Sequence, residues 1–323
     1  LVPAAHPDAG AVAGDPERNS LHDLARFAGA LAILWFHARG PGSWVGQLAM
    51  PVFFVLLGWY ALASARTQPF ARFAGRRFRR LMLPWFVWSA VYGALSVVKA
   101  LTAGQPPFAF LEPWMLLSGT ALHLWFLPFA FAASLALAIT TRHAPGLLGP
   151  VPAAVICSVA ALPALATDYA HAPIPAREWL PALPLVAWPA LLWSLSRHGR
   201  PVWLALPVAA LLAVAALMAG DRWLAAWFGL GLPAATACIG LRLPGSRQTG
   251  TPSAGRTGRG TQVVGLLGSL ALPVYLVHWA ALDFTAHSAG LDPAGPAGLA
   301  LAVGLSVAAA LAFRHLGWAR WTG

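Results

Sequence analysis

With 323 residues, 59% hydrophobic and only 10% charged, and a mean hydropathy of +0.66, the chain is not a soluble globular protein, whose domains carry roughly 25% charged residues. The class that remains is an all-α integral membrane protein. The formal charge of +11 does not point to nucleic acid, because the arginines sit between apolar runs as topology signals do.

In chain order, residues 1–20 are polar, rich in Pro, Asp and Ala, and lack the apolar core of a signal peptide; they are predicted to be a disordered cytoplasmic tail. About ten transmembrane helices follow, each near the roughly 20 residues a bilayer requires. They are predicted over 21–38, 47–64, 81–102, 121–140, 150–167, 180–195, 201–219, 223–241, 263–284 and 297–313. A strongly basic segment, 66–80, precedes the third. The connection 103–120 is rich in proline and can dip into the membrane interface, and the loop 168–179 is polar enough to sit in water. A Gly, Ser, Thr and Arg-rich stretch at 245–260 reads as a flexible cytoplasmic loop within a single transmembrane domain, 21–323. Abundant Pro and Gly are tolerated in membrane helices, and the 16 Trp fit interfacial belts. Cys157 and Cys238 both lie in apolar runs, so neither a disulfide framework nor a metal site is expected.

Loop charge orients these spans. With the N-terminus in the cytoplasm, only Arg39, Lys99, Arg177 and Arg222 of the 21 Lys and Arg fall outside. Six of the ten carboxylates also fall there: Glu112, Asp168, Glu178, Asp221, Asp283 and Asp292. Every cytoplasmic loop then carries a cation, which gives N-in and C-in.

The first span carries the most specific chemistry. Asp23 to His37 reads DLARFAGALAILWFH, an apolar run with ionisable ends. Arg26 and His37 are 11 residues apart, about three helical turns, so they share one face roughly 16 Å apart. Such a stripe fits a ligand that is charged at one end and reacts at the other. The structural alternative is a snorkelling arginine and a satisfied interfacial histidine. The topology puts His123 and His278 at the depth of His37, and the arginines of 72–80 at the end of Arg26.

Four segments carry a family resemblance. They are DLARFAGALAILWFH, with Asp-x-x-Arg and Arg-x10-His; MPVFFVLLGWYALAS at 50–64; RRFRRLMLPWFVWS at 76–89; and HLWFLPF at 123–129 paired with LPVYLVHWA at 272–280. In that order they resemble the membrane acyltransferase-3 family, integral O-acyltransferases of the cell envelope that modify surface polysaccharides. Two departures stand out: Leu57 stands where the family usually has Ser before Gly58, and Phe36 where some members have a second His. No hydrolase-like domain is evident in these residues, so the stand-alone type is expected.

The resemblance implies transfer of an acyl group, acetyl above all, from cytoplasmic acyl-CoA to a hydroxyl of a surface glycan or its lipid-linked precursor. It also implies a bacterial cytoplasmic membrane. Acyl-CoA is a co-substrate here; no bound cofactor, metal or nucleic acid is expected. His37 is the candidate general base, and a neutral imidazole suits that task. Arg26, Arg72, Arg76, Arg77, Arg79 and Arg80 are candidate donor-binding residues, since guanidinium groups recognise phosphate bidentately. The cluster 72–80 also reads as an anchor on anionic membrane lipids. His123, Trp125, Tyr275 and His278 are candidates on the acceptor side. Plainer roles stand beside them: interfacial hydrogen bonding for the two histidines, belt positions for Trp125 and Trp279, packing for Tyr275. Asp23 reads as an i, i+3 partner of Arg26 or a helix cap, and Glu112 and Asp168 as solvated loop carboxylates. His6, His22, His143, His171, His198, His287 and His315 lie in tails or near loops and carry no signal. Two rival functions are an acyl shuttle or transporter feeding a separate extracytoplasmic enzyme, and a scaffold without activity.

Overall fold

The computed structural model describes residues 19–168, 171–241 and 259–316. Most of the predicted tail and of the 245–260 loop lie outside these residues. Among the described residues there are helices, turns and coil but no strand. A helix occupies each predicted span: α1 (Ser20–Ala38), α2 (Ser43–Thr67), α3 (Phe70–Thr102), α4 (Leu122–His143) and α5 (Pro150–Ala166), then α6 (Ala176–Arg197), α7 (Val202–Met218), α8 (Arg222–Gly240), α9 (Arg259–His287) and α10 (Pro296–His315). Seven of these, α2, α3, α4, α6, α8, α9 and α10, are long and apolar enough to cross a membrane, while α5 and α7 are shorter apolar helices. α1 is 19 residues long and has Asp23 and Arg26 in its first two turns.

Local sequence sets several of these boundaries. Asn19 caps α1, its side-chain oxygen accepting the Leu21 N–H at 2.9 Å and satisfying one of the orphan donors of the first turn. Asp221 does the same for α8, accepting from the N–H groups of Trp223 and Leu224. α3 begins well before the span predicted at 81: the basic segment from Phe70 on is its first part, while Arg66 lies in the last turn of α2. At 33 residues it is about 50 Å long, more than a 30 Å hydrocarbon core, so one end extends beyond the bilayer. α3 and α8 each contain a wide i→i+5 turn, Phe78–Met82 and Trp227–Gly231, two residues before Pro84 and Pro233. Proline has no N–H to offer the carbonyl one turn back, and the wider turn absorbs the mismatch.

Small residues let the helices close on one another. α5 presents Ala153, Cys157, Ala161 and Ala164, all essentially buried, to α6. Its other face, Val151, Val155, Val159 and Leu162, is more than half exposed. A helix with small residues inward and large aliphatic residues outward is unsuited to water and matched to lipid. α2 lies at the centre, against α1, α4, α6 and α8. At Gly58 a Cβ would lie 2.3 Å from Pro189 Cγ of α6, so only glycine permits that approach. α1 packs along α9, which also packs on α10.

Contacts between helix ends agree with the alternation read from the sequence. Lys99, late in α3, pairs with Asp283, late in α9, at 2.6 Å. Arg142, late in α4, donates to the Gln68 carbonyl just after α2 at 2.6 Å.

Candidate active site

The three histidines predicted to share a depth meet in space. His37 of α1 stacks on His278 of α9, with ring centroids 5.2 Å apart and planes 28° apart. His123, in the first turn of α4, approaches His278 edge-on at 4.9 Å. Trp279 closes the group, stacked on His123 at 5.8 Å and edge-on to His37 at 5.0 Å. Successive residues of α9, His278 and Trp279, therefore both reach His37, one through its ring face and one through its edge.

Polar contacts set the state of these rings. The Nδ1 of His278 lies 2.5 Å from the Tyr275 carbonyl. A carbonyl only accepts, so Nδ1 carries the proton and the lone pair of the neutral ring is on Nε2. That Nε2 is buried without a hydrogen-bond partner. The Tyr275 hydroxyl donates to the His123 carbonyl and ties α9 to the start of α4. His37 makes no hydrogen bond among the described residues; its ring is held by His278, Trp279 and the neighbouring Phe36.

Most of these side chains, though not His278, border a cavity of about 490 Å³. His37, His123, Trp125, Tyr275 and Trp279 line it, as do Gln47, Arg177, Glu178, Asp221, Trp223 and Trp227. Trp125 and Trp279, which also fit belt positions, thus line this cavity. Glu178 and Arg177, read from the sequence as part of a water-exposed loop, sit instead in the first turn of α6, which begins at Ala176. Arg177 Nε donates to Glu178 Oε1 at 2.9 Å.

The opposite end of α1 holds a second polar group. Arg26 pairs with Asp23 at 2.5 Å and lies over the Tyr60 ring at 5.7 Å. Asp23 is 2% exposed and packs against Gly268 of α9, where a Cβ would fall 2.6 Å from its carboxylate. His22, which carried no signal in the sequence, is buried here with its ring nitrogens 2.7 Å from the Tyr60 hydroxyl and 2.9 Å from the Cys238 carbonyl. Arg80 is near enough to Arg26 and Asp23 to feel both charges. Arg72, Arg76 and Arg79 are exposed, and Arg77 lies over the Phe73 ring at 5.3 Å. None of the predicted donor-binding arginines lines the cavity at His37. Along the face that joins the two ends, the cavity reaches Ile33, while Ala30, one turn further, is fully buried and packs with Leu270, Ala271 and Val274.

Among the described residues, no group of three or more His, Cys, Asp or Glu is placed to hold a metal ion. What the cluster offers is acid–base chemistry: the imidazoles of His37 and His123 at the edge of a cavity, with His278, of fixed tautomer, packed behind them. A family model described as an acyltransferase domain matches residues 22–315, from His22 to the end of α10. Comparison with curated proteins and with solved structures finds no match.

Proposed function

The chain belongs to the acyltransferase-3 family, and on that premise we propose that it is an integral membrane O-acyltransferase moving acetyl from cytoplasmic acetyl-CoA to a hydroxyl of a surface glycan or its lipid-linked precursor. The observation that supports this reading is the meeting of His37, His123 and His278 from three helices, with His37 and His123 lining one cavity. In this reading α1 to α10 all span a bacterial cytoplasmic membrane, with both termini inside and the cavity toward the outer face. The nucleotide end of the donor binds the arginines 72–80 and Arg26.

His37 removes the proton of the acceptor hydroxyl as its oxygen attacks the thioester carbon. The tetrahedral intermediate then collapses, the C–S bond breaks, and the thiolate of CoA leaves and takes up a proton. His278 supports the ring of His37, and the apolar lining keeps water from competing for the acyl group.

The test is transfer of labelled acetyl from acetyl-CoA in proteoliposomes containing only this protein. His37→Ala is expected to abolish transfer in a protein that still folds, and near-normal activity in that variant would remove His37 from the role of base. Transfer that needs an added extracytoplasmic protein would favour the shuttle.

A further inference from the structure

When an acceptor oxygen attacks a thioester, the carbonyl oxygen takes the electron pair of the C=O bond and becomes an oxyanion. Away from bulk water that charge needs a hydrogen-bond donor already in place. Several polar groups of the cavity are committed elsewhere. The Tyr275 hydroxyl donates to the His123 carbonyl, Arg177 is paired with Glu178, and the Asp221 carboxylate accepts from the first turn of α8. Gln47 is the single side-chain amide in the lining. It is half-buried and makes no hydrogen bond among the described residues. Its amide is also not sealed into the packing, as the unpartnered indole N–H of Trp227 is, so it is open to a ligand.

The backbone holds Gln47 close to the proposed base. Gly42, at φ 72°, reverses the chain after α1, a conformation that glycine adopts without strain. The opening turns of α2, Ser43–Leu48, then fold back along α1. A Cβ at Gly46 would fall 2.0 Å from the Ala32 carbonyl oxygen and 2.9 Å from Phe36 Cβ, so only glycine permits this approach. Gln47 follows Gly46 and His37 follows Phe36, and both of these next residues line the cavity.

From this placement we propose that Gln47 is a second catalytic residue, whose side-chain N–H donates to the thioester carbonyl oxygen and stabilises the oxyanion formed as His37 deprotonates the acceptor. This inference rests on the acyltransferase reading above. The electron pair moves onto the oxygen as the new C–O bond forms and returns to C=O as the C–S bond breaks. Gln47 neither gains nor loses a proton in either step. A primary amide suits the task because it is neutral and carries two N–H donors. The charge on the oxygen is larger in the transition state than in the bound thioester, so the hydrogen bond strengthens during reaction and acts on kcat more than on KM.

The competing role for the same amide is to accept, through its oxygen, from an acceptor hydroxyl. Gln47→Glu separates the two roles: it keeps the shape and an accepting oxygen but removes the donor. Gln47→Leu removes both. The wild-type protein and these two variants are reconstituted in proteoliposomes with labelled acetyl-CoA, and transfer is followed to an envelope-glycan extract of the producing cell over a series of dilutions. Both variants are expected to lose about 100- to 1,000-fold in kcat, the usual cost of one oxyanion donor, with donor and acceptor KM and the unfolding temperature close to wild type. Near-normal kcat in Gln47→Leu overturns the proposal. So does a Gln47→Glu variant that keeps its rate while Gln47→Leu raises the acceptor KM, the pattern of acceptor recognition. Loss of rate that tracks a lower unfolding temperature in both variants makes Gln47 a structural residue and overturns it as well. Each of these outcomes leaves the acyltransferase reading standing, whereas absence of transfer by the wild-type protein overturns both.

Discussion

His278 lies face to face with His37, 5.2 Å between ring centroids, while its own Nδ1 is fixed by the Tyr275 carbonyl one turn back on the same helix. His37 has no hydrogen-bonded partner among the described residues, so the orientation of the proposed base depends on packing. The unpartnered Nε2 of His278 contributes nothing to that packing. His278→Ala is expected to lower kcat about 10- to 100-fold with little change in acetyl-CoA KM, because misplacing a catalytic group by about 1 Å costs that much. His278→Phe, which keeps a flat ring against His37, is expected to recover most of the rate. Initial rates at saturating acceptor decide it; a Phe variant as slow as the Ala variant would mean that the ring nitrogen itself takes part in proton transfer.

At the other end of α1, Asp23 holds Arg26 and is itself enclosed by Gly268. An added methyl at Gly268 would lie 2.6 Å from the Asp23 carboxylate, so Asp23 or α9 must move. Gly268→Ala is expected to destabilise the protein by about 1–3 kcal/mol, the usual cost of overpacking, and to raise the acetyl-CoA KM through displacement of Arg26. Asp23→Asn removes the charge without adding bulk, so it should raise donor KM with a smaller loss of stability. Thermal unfolding in detergent together with donor titrations reads both effects. If donor KM is unchanged in both variants, the pairing of Asp23 and Arg26 has no part in donor binding.

The sequence carried most of the helix pattern and about half of the site. Long apolar runs and alternating loop charge placed a helix at every predicted span, because hydrophobic thickness and charge asymmetry are one-dimensional properties. The convergence of His37, His123 and His278 was legible only as a shared depth, since depth follows from topology while neighbourhood follows from packing. Glu178 and Trp227 were not legible as site residues. An early carboxylate in α6 looks like any solvated helix start, and a tryptophan near a helix end looks like any belt residue. Which of them faces a cavity depends on the wide turn of α8 and on how α6 and α8 lie around α2. Arg26 and His37 do lie on one helix, but α9 packs over Ala30 between them.

Two glycines separate close packing from mere helix permissiveness. Gly58 faces the rigid ring of Pro189, whereas nothing lies within 4 Å of a Cβ at Gly75 in α3. Gly58→Ala is expected to cost about 1–3 kcal/mol, since a proline ring cannot rotate out of the way. Gly75→Ala is expected to be neutral or to stabilise by up to about 1 kcal/mol, through the better helix propensity of alanine. Paired thermal-shift measurements check the contrast; equal effects at the two positions would mean that the contact between α2 and α6 is looser than described.

Tyr92 of α3 offers the last test, because its hydroxyl reaches the rung of α9 that carries His278. It donates to the Leu276 carbonyl at 2.7 Å and accepts from the Ala280 N–H at 3.3 Å, the two groups flanking His278 in sequence. The Tyr92 ring also meets His123 edge-on at 5.1 Å, so one side chain braces both histidines. Tyr92→Phe keeps the ring contact and removes only the hydroxyl. The expected cost is about 1–3 kcal/mol for the buried hydrogen bonds, with a fall in kcat from the released helix turn and no change in donor KM. Hydrogen exchange should show faster opening at 276–280 than in the parent protein. Parental exchange combined with a lower kcat would place the hydroxyl in contact with substrate, and parental values of both would leave Tyr92 a packing residue alone.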